Sequence, residues 1–170
     1  YKRQCHVNYS GICVGWGWTL LESGMSGNRI EANYVHHFAR RLYDAGGLYT
    51  LSNQPGSVMR NNRIEHLTDA PYATNDRAFY IYFDEATDGY TVENNWCPSQ
   101  RFDSNQPGPH NVWKKNGPQV DESIKQKAGR LPLKCLTPLQ GSIESTRIQK
   151  KNNQESVSYT HLTLPTSDLV

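Results

Sequence analysis

The chain has 170 residues, a net charge of +2 and a mean hydropathy of −0.75, and 11% of its residues are aromatic. No apolar run approaches the roughly 20 residues that cross a bilayer, so we expect no membrane partner. Basic residues crowd the stretch 114–151, but no aromatic residue is interleaved with them. That pattern favours a solvated tail, and we expect no nucleic-acid partner.

The cysteines give no sign of a metal centre or a disulfide framework. No two of them have the short spacing of metal ligands, so we expect no metal and no cofactor. Cys97 follows apolar positions of a strand pattern and is predicted to be a small core residue. The four cysteines are Cys5, Cys13, Cys97 and Cys135.

In chain order, the first predicted unit is a strand within 11–18 and a second strand within 28–35. The segment 11–18 reads GICVGWGW. Trp16 and Trp18 are too close together for both to enter a narrow core. They form either a stacking platform for a sugar ring or a lid on the edge of the fold.

Two further units repeat this order of strand, turn and strand. The second has strands at 47–51 and 57–64, and Gly46 and Gly47 before it permit a sharp turn. The third occupies 78–96, AFYIYFDEATDGYTVENNW, with turn residues at 86–89. In it Ile81 and Phe83 alternate with the outward residues Tyr80, Tyr82 and Asp84.

The three units are an internal repeat with a spacing of roughly 30–36 residues. Their strands are too short to be stable alone, but parallel stacking at about 4.8 Å would cover their apolar sides. This predicts an all-β fold, a parallel β-helix built as a single-stranded solenoid of about three coils. A meandering antiparallel sandwich is the alternative, although it gives no reason for Asn to recur in register. The predicted columns are Ile12/Leu48/Ile81 and Val14/Thr50/Phe83 inward, Cys13/Tyr49/Tyr82 outward, and an asparagine ladder of Asn33/Asn62/Asn95.

The end of the chain changes character. Residues 120–128 predict a short helix, with Asp121 near its start and Gly129 as its stop, which would cap the open end of the β-helix. We therefore divide the chain into a β-helix part, 1–130, an irregular or frame-shifted tail, 131–156, and an adaptor-like segment, 157–170. The string VSYTHLTLPT at 157–166 matches the translation of a transposon-based sequencing adaptor, which suggests a metagenomic fragment.

The phrases GICVGWGW, DAGGLYTLSNQPG, IYFDEATDGYTVENNW and NGPQVDESIKQKAG resemble bacterial right-handed parallel β-helix proteins of the pectin-lyase-like superfamily. The resemblance covers roughly 9–129. It implies a right-handed helix, further coils before Tyr1, and a secreted or periplasmic protein whose signal peptide precedes this segment. It also implies a glycoside hydrolase acting on a polysaccharide or oligosaccharide, most simply as a monomer. The superfamily also contains polysaccharide lyases and non-catalytic spikes, so a lyase or a carbohydrate-binding β-helix remains the alternative.

Glycosidases place two carboxylates about 5–9.5 Å apart around the scissile bond, and Asp84, Glu85 and Asp44 are the candidates. Asp84 is predicted to lie outward beside Tyr82. A straight strand would leave Asp44 about 20 Å from Asp84. Either the chain doubles back at Gly46 and Gly47, or Asp84 pairs with Glu85 or with an acid in the further coils expected before this segment.

Six further residues are candidates for substrate binding. The tryptophans and the outward tyrosines offer flat apolar surfaces to a sugar. The histidines are predicted to stack as a polar column, with a proton-shuttle role as the alternative. The residues are Trp16, Trp18, Tyr49, Tyr82, His37 and His66.

Overall fold

Short β-strands dominate the computed structural model, which describes residues 2–71 and 77–130. Every described residue belongs to one compact unit. The predicted tail, 131–156, and the adaptor-like segment, 157–170, lie outside the described residues. The strands within the described ranges are β1 (Arg3–Cys5), β2 (Ile12–Val14), β3 (Arg29–Glu31), β4 (Tyr34–Phe38), β5 (Ala45–Thr50), β6 (Asn53–Arg60), β7 (Arg63–Leu67), β8 (Ala78–Phe83), β9 (Asp88–Glu93), β10 (Phe102–Ser104) and β11 (Val112–Trp113).

These strands form three separate parallel sheets in the described part of the chain. The first sheet has the order β1-β4-β7, the second β10-β8-β5-β2 and the third β11-β9-β6-β3. The prediction of one right-handed parallel β-helix, a single-stranded solenoid with a capping helix, is therefore wrong. Residues with a left-handed backbone, such as Ala32, Ser52 and Asn61 with φ of 51°, 64° and 56°, interrupt the hydrogen-bonded ladders and divide the strands into separate sheets.

The predicted stacking register is nevertheless confirmed. Ile12 pairs with Leu48 and Leu48 with Ile81, all in parallel strands. Leu48 and Ile81 are fully buried, and so is Cys97. The antiparallel sandwich is excluded for these strands because every described pairing among them is parallel. The repeat in the sequence thus identified the residues that share a column of the core.

The asparagine ladder is confirmed and gains a fourth member. Asn62 Oδ1 accepts from the backbone N–H of Asn33 at 2.9 Å, and Asn95 Oδ1 accepts from that of Asn62 at 3.2 Å. Asn116 Oδ1 accepts from the Asn95 N–H at 3.1 Å. Each side-chain amide thereby satisfies buried backbone at a bend that strand pairing leaves open. The sequence pattern missed Asn116 because it follows Asn95 after 21 residues, a shorter interval than the earlier ones.

The predicted helix is present as α1 (Glu122–Lys127), with the Asp121 side chain accepting from the Ser123 N–H at 2.7 Å. Its contacts are with the first sheet. The Arg63 guanidinium donates to the Lys125 carbonyl, and the Lys125 ammonium lies 4.1 Å from the centroid of the Trp96 ring. The predicted role as a cap over the end of a solenoid is therefore wrong.

Candidate functional site

A pair of tyrosines on the outer side of the second sheet organises the candidate site. Tyr49 in β5 pairs with Tyr82 in β8, and their ring centroids lie 5.5 Å apart. Tyr9 adds a third ring, 6.0 Å from that of Tyr49. Tyr49 and Tyr82 are only 8% and 4% exposed. Their hydroxyl groups, more than their ring faces, are therefore what this pair offers to neighbouring groups.

Each tyrosine of the pair binds one of the predicted catalytic acids. The Tyr49 hydroxyl donates to Asp84 Oδ2, and the Asn105 amide donates to Asp84 Oδ1 at 3.0 Å. The Tyr82 hydroxyl donates to Asp44 Oδ1 at 3.2 Å. The acids differ in access, since Asp84 is 7% exposed and the Asp44 side chain is 43% exposed. The result is one closely held carboxylate and one open carboxylate on either side of a tyrosine pair.

The glycine pair before Tyr49 explains how the chain that carries Asp44 comes close to Tyr82. Gly46 and Gly47 lie within β5. A Cβ on Gly46 would lie 2.6 Å from the Leu48 carbonyl oxygen and 3.0 Å from the Cβ of Tyr82. These distances leave no room for a side chain, so the chain passes close to Tyr82 only because glycine stands there. The straight-strand separation of about 20 Å between Asp44 and Asp84 therefore overstates the distance that the side chains span.

The two tyrosines keep their protons over the whole physiological range. Burial raises the pKa of Tyr49 well above its usual value, and its hydrogen bond to Asp84 raises the pKa further. Burial also raises the pKa of Tyr82, and the negative charges of Asp44 and Asp84 act in the same direction. Both hydroxyl groups therefore serve as fixed donors to the carboxylates.

Glu85 stands apart from the pair. It occupies the turn after β8, which the Thr87 N–H closes by donating to the Asp84 carbonyl at 3.0 Å. Its own carbonyl accepts from the Ser52 N–H at 3.0 Å. Among the described residues, Asp84 and Asp44 each accept a hydrogen bond from the tyrosine pair, and the Glu85 side chain does not.

A nearby buried acid, Asp88, has a structural role that the sequence did not suggest. Its carboxylate accepts from the His110 backbone N–H at 2.6 Å and lies 2.8 Å from the His110 Nδ1. Burial alone would raise the pKa of Asp88, but the hydrogen bonds from His110 outweigh it and lower the pKa. Asp88 therefore holds the loop before β11 against the start of β9.

Trp16 and Trp18 lie in the loop after β2 and are 80% and 68% exposed. Neither reaches the core, so the part of the prediction that excluded both from a narrow core is confirmed. Their role as a sugar platform stays a prediction.

The predicted histidine stack is confirmed and extended. The His37 and His66 rings stack with centroids 4.7 Å apart, and His6 stacks on the other face of His37, also at 4.7 Å. His36 Nδ1 lies 2.8 Å from His37 Nδ1. Burial lowers the pKa of His36 and of His37, and neighbouring imidazoles lower it further. His36, His37 and His66 lie in strands of the first sheet, whereas the tyrosine pair belongs to the second.

Sequence reasoning missed three contributors to the site. Tyr9 donates to the Asp44 carbonyl at 2.9 Å, Asn105 holds Asp84, and the Arg77 guanidinium lies 3.8 Å from Asp44 Oδ1. They stand outside the repeated strands, so their spacing carried no signal. Among the described residues, no group of three or more His, Cys, Asp or Glu side chains is arranged to hold a metal ion. In the same part of the chain, no helix is long and apolar enough to span a membrane.

Comparison with known proteins gives one informative likeness. No family model matches the chain, and no curated protein matches it. A solved structure named "Glycoside hydrolase" is 41% identical to this chain, with a TM-score of 0.74 over 76% of this chain. The chain spans 22% of the length of that protein. The described residues therefore have a glycoside-hydrolase-like fold.

Proposed function

We propose that the chain is part of a glycoside hydrolase that cleaves a polysaccharide or oligosaccharide with the carboxylates of Asp84 and Asp44. The observation that carries the proposal is that both acids accept hydrogen bonds from one tyrosine pair. The 41% identity to a protein named glycoside hydrolase supports the reaction class. We also propose, as the resemblance implies, that the protein is monomeric and is secreted or periplasmic.

The geometry suits a carboxylate pair because the two acids are held differently. Asp84 is fixed by Tyr49 and Asn105, and such fixed orientation lowers the cost of placing a reacting group. Asp44 is open to an arriving ligand. Since neither tyrosine gives up its proton, both remain donors that can stabilise the ionised carboxylates during a reaction.

The test is release of reducing ends from a panel of plant and host polysaccharides by the complete polypeptide that carries this chain. Asp84→Asn and Asp44→Asn should each lower turnover by about 10²–10⁴-fold, because each removes a positioned proton-transfer or nucleophilic group. Glu85→Gln is the matched control and should leave turnover within a factor of a few.

Two outcomes would overturn the proposal. One is turnover in Asp84→Asn within a few-fold of the unsubstituted protein. The other is a product with an unsaturated sugar end, detected by its ultraviolet absorbance, because elimination identifies a lyase.

A further inference from the structure

The loop that carries Trp16 and Trp18 is held by four hydrogen bonds to the junction of β5 and β6, while its indoles remain exposed. The Ser52 hydroxyl donates to the Gly17 carbonyl at 2.5 Å and accepts from the Thr19 N–H at 3.2 Å. Asn53 adds two contacts, from its N–H to the Thr19 carbonyl at 3.1 Å and from its side chain to the Leu20 carbonyl at 3.0 Å. Exposed aromatic residues on a well-held loop indicate a recognition surface, since the fold does not need them for its core.

Hydrogen bonds connect this loop to the turn that begins at Asp84, one of the two proposed catalytic residues. Ser52 is fully buried, and its own N–H donates to the Glu85 carbonyl at 3.0 Å. One buried residue therefore bonds the tryptophan loop through its side chain and the residue directly after Asp84 through its backbone N–H.

The strand register places the residue before Trp16 at a defined number of strand spacings from Asp84. The residues that directly follow β2, β5 and β8 are Gly15, Leu51 and Asp84. The Leu51 N–H donates to the Val14 carbonyl, and the Asp84 N–H donates to the Thr50 carbonyl, so the parallel stacking continues past the strand ends. Two strand spacings, about 10 Å, therefore separate Asp84 from the position just before Trp16.

The loop offers no cationic group to a ligand. Its residues, 15–28, include one acidic residue, Glu22, and no Lys or Arg. A ligand recognised there meets indole faces and backbone groups, which suits the apolar face and hydroxyl groups of a neutral sugar. It does not suit the carboxylate or sulfate of an acidic sugar, which a cationic side chain would normally bind.

We propose that the Trp16–Trp18 loop is a subsite for a neutral glycan chain, and that it binds a sugar unit about two strand spacings from the one at Asp84. The inference rests on the proposed function, since it places Asp84 at the cleavage site. It identifies the substrate class as neutral oligosaccharides or polysaccharides of three or more units. A monosaccharide or disaccharide held at Asp84 would not reach the loop.

The test is direct binding of the full 170-residue chain to immobilised xylo-, cello-, manno- and galacturono-oligosaccharides of two to six units. We expect binding to one neutral series that strengthens from two units to four. Trp16→Ala with Trp18→Ala should weaken binding of the longer members about tenfold, as loss of an aromatic anchor does, and leave the shortest member unchanged. Leu21→Ala is the matched control, because Leu21 is equally exposed on the same loop but is not aromatic.

Each contrary result has a separate meaning. Binding that is unchanged in the double tryptophan variant, or absent for every glycan, overturns the subsite. Preference for the galacturonide series overturns the neutral class. An equal loss in Leu21→Ala identifies a general apolar docking surface for a protein and also overturns the proposal. Length-dependent binding through the tryptophans without hydrolysis would support the subsite and contradict the proposed function. Hydrolysis together with binding that does not depend on the tryptophans would support the proposed function and contradict the subsite.

Discussion

Replacing Asn62 by alanine should be one of the most damaging single changes in the described fold. Asn62 is fully buried, and its side chain makes four hydrogen bonds. Its Oδ1 accepts from the N–H and from the amide of Asn33 at 2.9 and 3.0 Å. Its Nδ2 donates to the Ile30 carbonyl and to Asn95 Oδ1, both at 2.8 Å.

The magnitude follows from the groups that Asn62→Ala leaves unpaired. The Asn33 N–H, the Asn33 amide and the Ile30 carbonyl would each lose a partner, whereas Asn95 Oδ1 keeps the N–H of residue 62. An unsatisfied buried polar group costs about 1–3 kcal/mol, so the free energy of unfolding should fall by at least about 3 kcal/mol. Domains are typically stable by about 5–15 kcal/mol, so the loss is a large fraction of the total.

Equilibrium denaturation in urea, followed by far-ultraviolet circular dichroism, measures this loss. Asn33→Ala is the matched control at the end of the ladder. The Asn33 Oδ1 accepts from the N–H of Lys2, an exposed residue at the end of the ladder. Because water can reach this part-buried bond more easily than the buried bonds of Asn62, we expect a loss of only about 1 kcal/mol. The reasoning is refuted if Asn62→Ala costs no more than Asn33→Ala.

Two further predictions concern the titratable groups. Tyr49→Phe keeps the ring and removes the donor to Asp84, so it should lower the free energy of unfolding by about 1.5–3 kcal/mol. In a double-mutant cycle with Asp84→Asn, most of this loss should be common to the two single variants. Losses that simply add in the double variant would contradict this contact. The pKa values of His36 and His37 are lowered in the folded state, so below an unfolded pKa of about 6.5 the unfolded chain binds more protons and stability should fall as the pH decreases. Urea midpoints at pH 7, 6 and 5 measure this, and a midpoint that does not decrease over this range would refute the assignment.

The repeat predicted the core columns because the same physical requirement applies at each level of the stack. An apolar residue at Ile12 needs cover, and Leu48 and then Ile81 supply it in register. The asparagine ladder could be predicted for the same reason, since the backbone polar groups at each buried bend need the same side-chain hydrogen bonds. The division into separate sheets could not be predicted from the sequence. It depends on left-handed backbone at residues such as Ala32, whose type carries no signal for that conformation.

The candidate site was harder to predict because strict alternation fails at its centre. Period two would place Tyr80 outward between inward neighbours, yet Tyr80 and Ile81 both belong to the buried core. On the paired strand a Cβ on Gly47 would lie 2.3 Å from the Ile64 side chain, so Gly47 and the buried Leu48 also face the core together.

Because two successive residues on each strand face inward, the alternation is shifted by one residue. Side chains an odd number of residues apart can then lie on the same outer side of the sheet. Phe79 and Tyr82 have rings only 5.1 Å apart although they are three residues apart. The same irregularity brings the chain at Gly46 against Tyr82 and Asp44 within a hydrogen bond of the Tyr82 hydroxyl. An interruption of the strand pattern, which reading by alternation cannot detect, is therefore what assembles the two acids on one tyrosine pair.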